Sequence, residues 1–199
     1  MRPAYAFLVL LPLLASAACS PVGMAVDAGS QAAIASQEER GLGGAVDDLK
    51  IRATLFEAWF STNHTWPLAL TADVYQGQVL VTGVLTDPDD RAEALRVAWA
   101  IPAVAAVYNE IQSEERGILD TGRDKWISAQ LSTRLTFDKE IHAINFQVTT
   151  VNGTVYLLGH ARNRVELEKV LAHARDIDHV SKVISHVRIA SSTVKQAQK

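Results

Sequence analysis

The chain repeats itself at one fixed interval. An offset of 76 residues pairs Gly77 with Gly153, Gly83 with Gly159, Asp48 with Asp124, Ile51 with Ile127 and Leu55 with Leu131. Without a gap, the same offset pairs Val79 with Val155, Leu95 with Leu171, Ala98 with Ala174, Ile101 with Ile177, Val104 with Val180, Val107 with Val183 and Ile111 with Val187. Apolar and glycine positions are the ones that define a core and its turns, so two copies of one folding unit are predicted, at 48–112 and 124–190. Residues 113–123, charged and containing two glycines, read as the surface connection between them, and 191–199 as a tail.

Inside each copy the periodicity changes in the same order. Ile51, Leu55 and Trp59, like Ile127, Leu131 and Leu135, recur every fourth residue and mark a helical face. Alternating apolar residues follow on both sides of Gln76-Gly77 and of Asn152-Gly153, the pattern of a two-residue hairpin whose turn needs positive φ. Asp87-Pro88 caps and opens a second helix, and at the matching place Asn163 with Glu166 reads as a capping box. A closing strand carries Val107 and Ile111, or Val183 and Val187. The expected fold class is therefore α+β: two tandem αββαβ units, each a small mixed three-stranded sheet with two helices on one face. Tyr75, Leu80 and Tyr108, with Tyr156, Leu158 and Ile184, alternate away from that core, so these outer faces are expected to meet each other or a partner protein.

Ahead of the repeats, Met1-Arg2 precedes an apolar run from Ala4 to Ala18, short for a membrane-spanning helix and suited to an export signal. The single cysteine of the chain ends Ala15-Ser16-Ala17-Ala18-Cys19, which resembles the box of bacterial lipoproteins, where the thiol is acylated; Ala15-Ser16-Ala17 also suits an ordinary signal peptidase. The resemblance implies 1–19 as a lipoprotein-type signal with lipid attachment at Cys19, and Ser20 after it implies the outer membrane. A soluble periplasmic protein is the other reading. Residues 20–47, rich in Ala, Gly and Ser, read as a flexible spacer with a short helix at 32–40.

Two αββαβ units carrying Val74-Tyr75-Gln76-Gly77-Gln78-Val79-Leu80-Val81-Thr82-Gly83 and Thr150-Val151-Asn152-Gly153-Thr154-Val155-Tyr156-Leu157-Leu158-Gly159, each closed by a Val-x-x-Val-type strand, resemble the BON domain. The likeness covers essentially everything after residue 47. It implies a non-enzymatic periplasmic protein that associates with phospholipid and supports envelope integrity.

With 19 Lys and Arg against 22 Asp and Glu, a net charge of −3, the chain as a whole is unsuited to nucleic acid. The charge is unevenly shared. Unit one has four basic and eight acidic side chains, unit two nine and seven, so only unit two suits an anionic phospholipid membrane. Its first helix opens Arg123-Asp124-Lys125-Trp126-Ile127, placing an indole at the edge of the buried stripe between two cations. Arg123, Lys125, Trp126 and, farther along, Arg134 with Lys139 are the expected membrane-binding residues, blunted by Asp124. The opposing expectation for Trp126 is packing against the linker or the other unit, which would leave a protein-interaction or chaperone-like adaptor with an envelope protein partner. Trp59, Phe60 and Trp66-Pro67 read as core and edge packing.

His160, His173, His179 and His186 lack metal-ligand spacing and a cysteine partner, and read as scattered surface histidines. No GxSxG, phosphate loop or dinucleotide fingerprint is present. No cofactor, no metal and no catalysis are expected.

Overall fold

The computed structural model describes residues 41–114 and 117–190. The proposed lipid-attachment residue Cys19, the expected signal, the expected spacer up to residue 40 with its expected short helix, and the tail 191–199 lie outside those residues, while 41–47, expected as the end of a flexible spacer, are helical.

Helix α1 (Gly41–Thr62) leads through the short α2 (Trp66–Ala69) into strands β1 (Leu70–Tyr75) and β2 (Gln78–Val84), helix α3 (Pro88–Ala100) and strand β3 (Ala106–Gln112). Unit two repeats this with α4 (Ile118–Phe137), a single 3-10 turn at Ala143–Asn145, β4 (Phe146–Val151), β5 (Thr154–Ala161), α5 (Arg164–Arg175) and β6 (Lys182–Ile189). In each sheet the central strand pairs antiparallel with the first and parallel with the third, in the order β1-β2-β3 and β4-β5-β6. The expected mixed sheets are present in both copies.

The repeat extends to the backbone. Gln76 and Asn152 adopt φ of 51° and 49° and Gly77 and Gly153 φ of 72° and 71°, so both hairpin residues sit in the left-handed region that a tight turn needs. At the ends of the central strands, a Cβ on Gly83 would lie 2.1 Å from the Ala69 carbonyl oxygen and one on Gly159 2.0 Å from that of Asn145. Only glycine admits that approach, at φ of 130° and 144°.

Asp87 accepts from the amides of Asp89 and Asp90, with Pro88 in the first turn of α3. Asn163 accepts from the amide of Glu166 at 2.9 Å. The other half of the expected capping box is different: the Glu166 carboxylate takes the amides of His142 and Arg162, both at 2.7 Å, and ties α5 to the loop before β4.

Each unit has its own core between helices and sheet. Ile51, Leu55, Trp59, Val74, Val79, Val81 and Ala98 fill the first, and Ile127, Leu131, Leu135, Val155, Leu157 and Ala174 the second. Trp59 is fully buried and donates its indole N–H to the Ala94 carbonyl, and Trp66 is buried as expected. Phe60, one residue and about 100° farther round the helix, is exposed instead.

A third core joins the units. Tyr75, Leu80, Val151, Tyr156 and Leu158 are buried together, with Val84, Tyr108 and Ile184 against them. Because strand residues alternate, these come from the sheet faces opposite the helices, and the molecule is a helix, sheet, sheet, helix sandwich. Of the two alternatives for these faces, they meet each other.

Candidate functional site

The candidate surface is built on the first half of α4, and what holds that helix in place explains which side chains stay free. Asp124, 2% exposed, turns inward and accepts the amides of Asn152 and Gly153 at 2.8 and 2.9 Å. Asp48 in α1 does the same for Gln76 and Gly77, both at 2.8 Å. Each carboxylate satisfies two turn amides and pins a helix to a hairpin. Asp124 is thus directed away from the solvent face, where the sequence reading counted it as blunting the basic patch.

On the opposite side of α4, Trp126 is 45% exposed, with its ring edge-on to His179, centroids 6.4 Å apart. His179 belongs to the turn after α5 in the same unit, so the indole rests on its own unit. Arg123 lies about 60° round the helix on one side and Lys125 about 100° on the other. Arg123 pairs with Asp120 at 2.8 Å across one helical turn, both half-exposed. Lys125 makes no ion pair among the described residues and lines a groove of about 320 Å³ at the unit junction with Leu68, Thr71, Ser128 and Thr149. Arg134 stands about 12 Å farther along and is held by Asp176 at 2.7 Å, bridging α4 to the end of α5. The structure therefore gathers Arg123, itself paired with Asp120, with Lys125 and Trp126, and places Arg134 apart, tied to the end of α5.

Two members of this face were missed by the sequence reading. Leu119, 82% exposed, and Phe137, 81% exposed, fall within about 20° of Trp126 on the helical wheel. Leu119 falls in the stretch 113–123, whose charges and glycines read as a linker. The helix begins earlier, at Ile118, where the Asp120 carboxylate accepts the Gly117 amide at 3.3 Å. An aspartate three residues after a glycine was the available signal.

Among the described residues, no helix is long and apolar enough to cross a membrane, and no three His, Cys, Asp or Glu side chains converge as metal ligands. His186 meets Glu110 at 2.9 Å and stacks on Tyr108, and His173 meets Asp138 at 2.9 Å.

Fold and surface together define a fused pair of αββαβ units whose outer layers are helical and whose α4 presents an indole and cations to solvent. The BON domain profile matches residues 47–115 and 123–191, and the chain belongs to that family. It is 36% identical over 125 residues to an uncharacterized protein in the gshII 5' region of Anaplasma centrale, covering 62% of this chain and 79% of that one. It is 30% identical over 87 residues to the outer membrane lipoprotein DolP of Haemophilus influenzae, covering 43% and 45% of the two chains. A 21 kDa hemolysin of Actinobacillus pleuropneumoniae is 31% identical over 86 residues, 43% of this chain and 44% of that one. The last two alignments span less than half the length of the relatives they match.

Proposed function

We propose that the protein is a non-catalytic lipoprotein of the outer membrane, anchored through Cys19 and facing the periplasm, that associates with phospholipid through the start of α4 and supports envelope integrity. The observation that carries this reading is the half-exposed Trp126 flanked by Arg123 and Lys125 on a helix fixed from behind by Asp124. An indole favours the headgroup region, and cations beside it reach lipid phosphates, each contributing about 1 kcal/mol near an anionic surface. Leu119 extends the apolar contact by two turns. Unit two also carries the positive balance, and unit one has Lys50 where unit two has Trp126. The outer-membrane lipoprotein relative supports the location.

The test is cosedimentation of residues 20–199 with vesicles of zwitterionic lipid alone and with phosphatidylglycerol. Binding is expected to need the anionic lipid and to fall at least about tenfold in Trp126→Ala and in Lys125→Glu, with circular dichroism unchanged. Folded wild type that ignores anionic vesicles, or variants that bind equally, would remove α4 as the contact.

A further inference from the structure

Helix α1 carries a second apolar stripe that its own unit leaves mostly exposed, covering only Phe56 in part at the edge of the first core. Val46, Leu49 and Phe60 are 50%, 64% and 54% exposed, Ala53 is exposed beside them, and Phe56 is half-buried with its ring tilted on Trp59. At 100° per residue these five lie within about 80° of arc, roughly 140° from the Ile51, Leu55 and Trp59 stripe. Their spacing of three, four, three and four residues is the a/d repeat of a helix-pairing seam.

The fold itself does not require this stripe. At the 76-residue offset, the same positions in unit two hold Gly122, Lys125, Ala129, Ser132 and Thr136, and that unit forms the same architecture. The stripe is an addition to α1.

Charge chooses the occupant. Unit one is net −4, and Glu57 borders the stripe, which disfavours an anionic bilayer as the partner. Lys50 and Glu57 lie on the same flank, one heptad apart. In an antiparallel helix pair such flank positions face each other, so Lys50 of one chain meets Glu57 of another, and symmetry makes the contact twice. The same register sets Leu49 against Phe60 and the small Ala53 against Phe56. Among the described residues, Lys50 has one exposed ion pair, with Asp47 at 3.5 Å, and the Glu57 carboxylate has none. We propose that α1 is a homotypic docking surface through which two copies of this chain pair antiparallel.

A single helical seam is at the small end of specific interfaces, so pairing is weak and concentration-dependent. The test is sedimentation equilibrium of the full chain in detergent over a wide concentration range. Wild type is expected to shift from monomer to dimer. Lys50→Glu sets like charges together twice and weakens the dimer about tenfold, Glu57→Lys does the same, and the double swap restores pairing to within about threefold. Leu49→Asp removes it, with circular dichroism confirming that the unit stays folded. Monomer at every concentration overturns the proposal, as does a dimer indifferent to the charge swaps. A monomer that loses vesicle binding on Leu49→Asp assigns the stripe to a bilayer. A monomer that dimerises only when residues 20–40 are deleted assigns it to that segment. Either result also overturns the proposal.

Discussion

The Thr149 hydroxyl donates to the Asp73 carboxylate at 2.5 Å, and the two residues occupy the same position in the two repeats. Glu110 and His186, again 76 residues apart, also touch each other. A residue that contacts its own counterpart lies on a two-fold axis. Off the axis the contacts come in related pairs: Asn152 donates to Gln112 at 2.7 Å, and Arg188 to Gln76 at 3.2 Å, which are the same two positions with the units exchanged. The junction is an isologous interface within one chain.

Burial at this junction pushes the Asp73 carboxyl above its ordinary value, against the lowering effects of the Thr149 hydrogen bond and Arg52. A raised carboxyl favours the folded state when protonated, and that advantage is lost as pH rises through the folded value. Asp73→Asn is expected to be as stable as wild type or more so at pH 7, with the difference closing below about pH 4, near the ordinary Asp value. Paired urea titrations at both pH values measure it. A deficit for the variant that persists at both values would contradict this.

Glu166 behaves in the opposite sense. Burial alone would raise its carboxyl, but hydrogen bonds from the Arg162 guanidinium and from the His142 and Arg162 amides, with the Arg162 charge, hold it below the ordinary range. Its stabilisation is present above the unfolded value near 4.3 and is lost as pH falls through the folded value. Glu166→Gln is expected to cost about 2 kcal/mol at pH 7 and to lose less stability than wild type on acidification. Denaturation midpoints followed from pH 7 to 3 test both parts.

Replacing Asp124 by Ala leaves the amides of Asn152 and Gly153 without their acceptor and is expected to cost about 3 kcal/mol. Asp48→Ala should cost a similar amount, because the geometry is repeated. Equilibrium unfolding in urea provides the number, and a loss under about 1 kcal/mol in both would show that the staple is dispensable.

Gly122 and Gly159 give opposite outcomes for one substitution. A Cβ on Gly122 meets nothing within 4 Å in the middle of a helix turn, so Gly122→Ala is expected to stabilise by about 0.5–1 kcal/mol. Gly159→Ala collides with the Asn145 carbonyl oxygen and is expected to cost more than about 4 kcal/mol or to prevent folding. Thermal melts of the two variants separate the effects.

The order of elements, the strand pairing and the two helical cores were legible because apolar period and glycine placement report directly on backbone and burial. Asp48 and Asp124 stood out as a matched pair, but their role did not, since nothing local says that a helix carboxylate turns toward a hairpin about 28 residues away. The early start of α4 was hidden by Gly117 and Gly122, which weaken local helix propensity and are overridden by the packing of the helix as a whole. Arg134 read as a free cation for the same kind of reason: its partner Asp176 is distant in sequence and close only in the fold.

An interface whose counterparts touch is what a self-pairing ancestor would leave behind once its two copies were joined in one chain. Two separate copies must carry the same surface at both ends. Joining them lifts that obligation: the segment that gives α1 its heptad stripe gives α4 a polar face with a lysine, and the position held by Lys50 in one half holds Trp126 in the other. With the junction held by equivalent residues, the two outer helices can differ in surface chemistry without disturbing the packing between the units.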